Sequence, residues 1–353
     1  MNVLDLFAGL GGLSYGFSVI PGYNIVAANE IHKEISKAYT LNHPETVMLN
    51  CDISDLTEEV LSTVLKGRKI DIIVGGPPCQ SYSTLGKREM DDRANLFKQY
   101  ARILNLTRPR IFVYENVLGL LSMDKGRLFK KIQKEFEKLG YVLKYEVMNA
   151  ADYGVPQLRE RVILVGMLGE NTFTYPKKTH GEGLLPYVTL ADALGDLPEL
   201  KGGEAKEFYL KDPDNDFLRF VRKDTSVLTE HEAPINHEGL QRIMETLKDG
   251  QTKDDLPEDI RPKSGFGNTY AKLWWNKPST TITRNFSTPS SSRCIHPRDS
   301  RALTIREGAR LQSFPDDYKL YGSKSSKRLA IGNAVPPLLS VALAKQVKKA
   351  LNT

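Results

Sequence analysis

The sequence predicts an α/β protein: a largely parallel, Rossmann-like sheet with helices on both faces, followed by a second, smaller domain. Three observations carry this prediction. Short apolar runs alternate with helical patterns from Val3 to about Met167, and the first run ends in a glycine-rich turn that opens a helix. After about Pro176 glycine, proline and charge rise while periodicity weakens. A chain of 353 residues also exceeds the size, about 250–300 residues, at which a single core usually stops growing.

In chain order, Val3–Phe7, Asn24–Asn29, Ile70–Val74, Ile111–Tyr114, Tyr141–Met148 and Val162–Met167 read as strands. Ile31–Leu41, Ala94–Leu106 and Leu128–Leu139 read as helices. The last two strands follow each other with no helix between them, so one is expected to run antiparallel. Residues 1–176 then form the first domain, 177–317 the second, and 318–353 a segment returning to the first. Inside the second, Thr189-x-x-Asp192 and Thr304-x-x-Glu307 are capping arrangements for short helices. Gly308 falls within the latter helix at a cost of about 1 kcal/mol against alanine, which implies close packing there. Pro336–Leu351 is an amphipathic helix expected to pack on the first domain.

Composition excludes several classes. Hydrophobic residues make up 40% and charged residues 26%, as in soluble globular proteins, and no segment approaches the roughly 20 apolar residues that span a bilayer. Met1-Asn2-Val3-Leu4-Asp5 lacks the basic start of a secretory signal. Cys51, Cys79 and Cys294 are few and far apart, which argues for a reducing, cytoplasmic setting. Cys294-Ile295-His296 is the nearest approach to a metal-ligand pair, and no metal is expected. The net charge of +6 suits a polyanionic partner. Arg284, Arg293, Arg298, Arg301, Arg306 and Arg310 face only Asp299 and Glu307 between Thr283 and Arg310, a pattern that fits either a solvated basic face or phosphate contacts.

Several residues carry candidate chemistry. Gly75-Gly76-Pro77-Pro78-Cys79-Gln80 places a thiol behind two stiffening prolines at the C-terminal end of a strand, the edge where open α/β sheets bind ligands. Asp5-Leu6-Phe7-Ala8-Gly9-Leu10-Gly11-Gly12 is a turn over which a cofactor can lie, although its spacing is not that of dinucleotide binders. Glu30, about twenty residues on, suits a ribose diol, and Asp52, between the second and third candidate strands, suits an adenine amino group. Glu115 ends its strand at the same edge as Cys79, where apolar walls would raise its pKa and let it donate a proton. Arg159 and Arg161, two apart on extended chain, should share a face and hold either a phosphate, a carbonyl oxygen or the carboxylate.

Together with Glu115-Asn116-Val117, Gln157-x-Arg159-x-Arg161, the run Arg301–Pro315 and Gly332-Asn333-Ala334-Val335-Pro336, this ordered set resembles the motifs of the C5-cytosine DNA methyltransferases, of the prokaryotic restriction–modification type. The resemblance spans residue 3 to about 340. It implies a methyltransferase sheet and a target-recognition domain. S-adenosylmethionine would be held by Phe7, Gly9, Gly11, Gly12, Glu30, Asp52, Pro77, Leu96 and Asn333. Cys79 would attack C6 of a flipped cytosine, Glu115 would act at N3, Arg161 would touch O2, and Arg159 would support the site. The loop from Ser81 to Asp92 would close over DNA, with Ser83, Thr281 and Arg284 as DNA contacts, while Trp274 and Trp275 are expected in the core.

The implied substrate is double-stranded DNA and the implied partner a restriction endonuclease cutting the same site, with the methylase acting as a monomer in the cytoplasm, at the nucleoid. A solitary enzyme, a tRNA cytosine methyltransferase and a catalytically idle DNA-binding regulator are the alternatives. The last predicts a damaged catalytic set, whereas Cys79, Glu115 and Asn333 are intact.

Overall fold

Seven strands form one sheet in the computed structural model, which describes residues 1–78, 96–223, 225–263 and 267–352. They are β1 (Asn2–Leu6), β2 (Asn24–Asn29), β3 (Val47–Leu49), β4 (Ile72–Gly75), β5 (Ile111–Val117), β6 (Tyr141–Asn149) and β7 (Glu160–Leu168). The order across the sheet is β3-β2-β1-β4-β5-β7-β6. Neighbours from β3 to β5 are parallel, and β7 runs antiparallel to both β5 and β6. The reversed strand is thus the second of the last two. Only ten residues, Ala150–Arg159, separate β6 from β7, too few for the crossover that a parallel pair needs.

The central strands are buried on both faces. In β1 and β4 nearly every residue is inaccessible, which explains why they read as continuous apolar runs rather than alternating ones. One layer of the core gathers Leu4, Leu6, Ile73, Phe112 and Tyr114 with Tyr100, Ile103 and Leu104 of α4 (Leu96–Thr107) and Phe129, Ile132 and Phe136 of α5 (Arg127–Lys138). On α1 (Gly12–Val19), Gly16 lies against the backbone of Ser340 in α11 (Pro337–Asn352), so close that a Cβ would overlap Ser340. Ser340 Oγ accepts the Gly16 amide at 3.0 Å, and Tyr23 donates to the Ala344 carbonyl at 2.6 Å. The amphipathic tail therefore packs on the first unit, as its pattern predicts.

Two compact units divide the chain: Met1–Asn149 with Glu160–Lys177 and Pro337–Thr353, and Ala150–Arg159 with Lys178–Pro336. Residues 150–159 and 318–336 thus cluster with the second unit, although the sequence boundaries placed them elsewhere.

Short helices and long connections make up the second unit. Both capping boxes form, at Thr189 ahead of α6 (Leu190–Leu194) and at Thr304 ahead of α9 (Ile305–Leu311). Gly308 lies against the Phe286 ring, where a Cβ would come within 2.5 Å of Cζ, so close packing accounts for a glycine in this helix. The two tryptophans correct an expectation: they are half-buried, with Arg293 over Trp274 at 4.3 Å and Arg298 over Trp275 at 5.1 Å.

The basic stretch also divides. Arg301, Arg306 and Arg310 are almost wholly buried and serve neither a solvated face nor a phosphate. Arg301 donates to both Glu307 oxygens, at 2.8 and 2.7 Å, and to Asp299. Arg310 is clamped between Asp196 and Asp316, and Arg306 reaches Asp316 and the Thr229 carbonyl. Burial alone would push the Glu307 carboxyl up, but the Arg301 guanidinium holds it well below the usual carboxylate range. Glu307→Ala would leave the buried Arg301 with one carboxylate in place of two, and a loss of about 3–5 kcal/mol of unfolding free energy is expected in urea titrations.

Candidate active site

Strand order reverses between β1 and β4, and at such a switch point the loops leaving neighbouring strands part to opposite sides and open a crevice. The register pairs Leu6 with Gly75, so the glycine-rich turn and the Pro77-Pro78 segment leave the sheet side by side. Gly75 permits this, since a Cβ there would overlap the Leu6 carbonyl.

The turn after β1 is held in a costly conformation. Phe7 has φ +57°, a left-handed value that costs a non-glycine residue about 1–3 kcal/mol, and Gly9 and Gly11 follow at +55° and +88°. Glu30 fixes the turn from below: its Oε2 accepts the Gly9 amide at 2.9 Å and its Oε1 the His32 amide at 2.8 Å. Burial pushes the Glu30 carboxyl up, against those amide bonds. Asn50 donates to the carbonyls of Glu30 and Ile31, tying the Glu30 loop to the loop that carries Asp52. Asp52 is exposed, and Ser54 holds its Oδ1 through both its amide and its hydroxyl, which lowers its pKa. Leu96, half-buried, begins α4, and Arg102 on that helix donates to the Ile53 and Leu56 carbonyls at 2.7 Å each.

Beneath the turn lies a group that sequence patterns did not single out for chemistry. Asp5 is fully buried; Ser14 donates to its Oδ2 at 2.6 Å and is itself 2.7 Å from the Tyr39 hydroxyl. Its Oδ1 has no hydrogen-bond partner among the described residues. Burial pushes its pKa up to about 7, the Ser14 bond opposes this, and the nearby Glu30 carboxylate adds to it.

Glu115 sits at the end of β5, beside the start of the Pro-Pro segment. Its surroundings differ from the apolar walls expected, because Arg161 on β7 places Nε 2.9 Å from Oε1 and both side chains are largely shielded from solvent. Antiparallel pairing of β5 with β7 sets Arg161 opposite Val117, within reach of the carboxylate. Gly76 packs against the same group, and a Cβ there would lie 2.6 Å from Glu115 Oε2. Asn116 donates from Nδ2 to the buried Pro77 carbonyl at 3.0 Å while its Oδ1 accepts the Val117 amide, so the end of β5 holds the start of the Pro-Pro loop. Cys79 and Ser83 lie outside the described residues.

The two arginines of the Gln-x-Arg-x-Arg run, expected to serve one group, have different partners. Arg159 belongs to the second unit, is buried, and donates to the carbonyls of Ile282, Gly332 and Ala334. In that unit Thr281, Arg284 and Asn333 are exposed, with Thr281 Oγ1 donating to the Leu158 carbonyl at 2.9 Å.

The family described as C-5 cytosine-specific DNA methylase matches residues 1–349. This chain belongs to that family. The methylase is 36% identical to the type II methyltransferase M1.HphI of Haemophilus parahaemolyticus, covering all of this chain and 88% of the relative. It is also 36% identical to M.DdeI of Desulfomicrobium norvegicum, covering 98% and 88%. A solved E. coli structure, described as a candidate DNA modification methyltransferase encoded within a prophage, superposes with a TM-score of 0.81 at 26% identity over the whole of both chains.

The methylase is a DNA (cytosine-5-)-methyltransferase that takes its methyl group from S-adenosylmethionine. The turn fits that cofactor: a Cβ on Gly9 would meet nothing within 4 Å among the described residues, leaving room over the backbone for a ligand. Sequence reasoning missed Gly76, Asn116 as a loop anchor, Ser54 and Asp5. Asn116, Gly76 and Asp5 lie inside motifs already quoted, whereas Ser54 carried no sequence signal.

Two outcomes follow from this geometry. Asp5 has a folded pKa of about 7 against an ordinary 3.8, so its contribution to stability is fully present below 3.8 and is lost as pH rises through 7. Asp5→Asn removes that loss, and its melting temperature relative to the parent should therefore be higher at pH 8 than at pH 5. Gly76→Ala should displace the Glu115 carboxylate and lower kcat by about 100-fold, the scale for a misplacement near 1 Å. Its dissociation constant for S-adenosylhomocysteine, measured by calorimetry, should change less than threefold.

Proposed function

We propose that this methylase transfers the methyl group to C5 of a cytosine flipped out of double-stranded DNA, through a transient bond between Cys79 and C6. The observation that carries the reading is the Glu115–Arg161 pair, set against Gly76 three residues before Cys79 in sequence. Phe7, Gly9, Gly11, Gly12, Glu30, Asp52, Pro77, Leu96 and Asn333 are the residues assigned to the cofactor. Ser83, Thr281 and Arg284 are assigned to DNA.

C5 of cytosine is too weak a nucleophile to take a methyl group unaided. The Cys79 thiolate adds to C6 and pushes an electron pair toward C5, creating an enamine. Glu115 shares a proton with N3 and the Arg161 guanidinium donates to O2, so charge developing in the ring is offset where it appears. When bound, S-adenosylmethionine supplies an electrophilic methyl that leaves S-adenosylhomocysteine behind. C5 then gives up its proton to solvent, the C5–C6 double bond re-forms, and the thiolate of Cys79 is expelled. The base is inaccessible inside a duplex, and flipping it out costs a few kcal/mol that backbone contacts must offset. The type II names of the relatives favour a role beside a restriction endonuclease of the same specificity. A monomer acting in the cytoplasm, at the nucleoid, is part of the same proposal.

Bisulfite sequencing of DNA from cells expressing the protein should reveal protected cytosines at one recurring site, and none in cells expressing Cys79→Ser. A duplex with 5-fluorocytosine at that site cannot lose its C5 substituent and should trap a covalent protein–DNA adduct with the cofactor present. Turnover by Cys79→Ser, or no adduct during turnover, rules the covalent route out.

A further inference from the structure

Two exposed segments of the second unit hang from one buried guanidinium. Thr281, Thr283 and Arg284 are exposed around the buried Ile282, and Asn333 is exposed between the buried Gly332 and Ala334. Arg159, 1% exposed, holds both: Nη1 donates to the Ile282 carbonyl at 3.0 Å, and Nη2 to the carbonyls of Gly332 and Ala334 at 3.2 and 2.9 Å. Gln157 completes the grip. Its Oε1 accepts the Ile282 amide at 2.7 Å, so both peptide groups of that residue are taken, and its Nε2 reaches the Leu311 carbonyl and the Gln312 side chain. Gln312 in turn donates to the Ile331 carbonyl at 2.7 Å. The segments also touch directly, because Gly332 lies against the backbone of Thr283 and Arg284 where no Cβ fits.

From this geometry we infer that Arg159, with Gln157, is a positioning residue that joins Thr281–Arg284 and Gly332–Ala334 into one mechanical element. Occupancy at either exposed segment is thereby felt at the other. The planar guanidinium matters, because its fixed fork meets three carbonyls at once; a lysine ammonium on a flexible stem has no such geometry. Shifting Asn333 must move the Gly332 and Ala334 carbonyls, and with them the arginine and Ile282. A buried charge that loses a carbonyl partner is strongly penalised, so the element moves as a whole or not at all. The inference rests on the proposed function, which gives Asn333 to the cofactor and Thr281 and Arg284 to DNA. It specifies how Arg159 supports the site: through these two segments and not through the reacting atoms.

The test uses the full chain, S-adenosylhomocysteine as the cofactor probe, and a duplex carrying the site mapped by bisulfite sequencing. In the parent protein, saturating duplex should tighten S-adenosylhomocysteine at least fivefold, the lower end of ordinary coupling between sites. In Arg159→Lys the ratio of the two dissociation constants should fall below twofold. A general loosening of the fold weakens both affinities and leaves their ratio alone. Equal ratios in the parent and the variant overturn the inference while the proposed function stands. A second measurement needs no variant: S-adenosylhomocysteine alone should slow hydrogen exchange at the Ile282 amide, and unchanged exchange there equally overturns the inference. Failure of the folded parent to bind S-adenosylhomocysteine at all would instead overturn the proposed function.

Discussion

The parallel pairing of β1 with β4 is the constraint on which the first unit's site depends. It makes two loops from distant parts of the sequence leave the sheet at the same level, Leu6 beside Gly75. Without it, the left-handed backbone at Phe7 and the stiff Pro77-Pro78 segment would have no relation to each other. The pairing holds because β1 and β4 are buried on both faces, where an unpaired backbone group would go unsatisfied. Gly75 keeps the strands at that register, and Gly76 brings the next residue of the loop against Glu115.

From that frame the polar groups are positioned by one another rather than by packing alone. Glu30 spends both oxygens on amides of neighbouring turns, Asp52 is steadied by Ser54, and Asn116 reaches across to Pro77. Arg161 meets Glu115 because β7 runs antiparallel to β5, the one reversed strand of the sheet among the described residues. Each of these bonds restrains a candidate carboxylate or loop through a partner from a neighbouring turn or strand.

Arginines divide into two populations that look alike in sequence. Arg284 is exposed, whereas Arg301, Arg306 and Arg310 are buried among carboxylates, and Arg159 is buried among carbonyls. The difference is set by partners far along the chain, such as Asp196 for Arg310, 114 residues away. A local count of basic residues therefore overstates the charge offered to DNA in this stretch.

Six of the seven sheet strands, the helices near 33–42, 96–107 and 127–138, the two capping boxes, the packed glycine at 308 and the docked tail were legible in the sequence, whereas the three-residue β3 and the helices Glu58–Leu65, Asp216–Arg222, Glu238–Thr246 and Lys324–Asn333 were not. Each legible feature is encoded locally, by apolar periodicity, cap chemistry or a missing side chain. The ordered motifs likewise named the family, because each marks a loop whose residue types the chemistry dictates. Three matters were decided by the tertiary structure alone: that Arg161 pairs with Glu115 while Arg159 turns to Ile282, that Asp5 is buried beneath the cofactor turn, and that Trp274 and Trp275 carry cations on their faces. The physical reason is common to all three. A charge or a ring in the sequence has a type but no partner, and its partner is chosen only when strands and loops from elsewhere in the chain are brought against it.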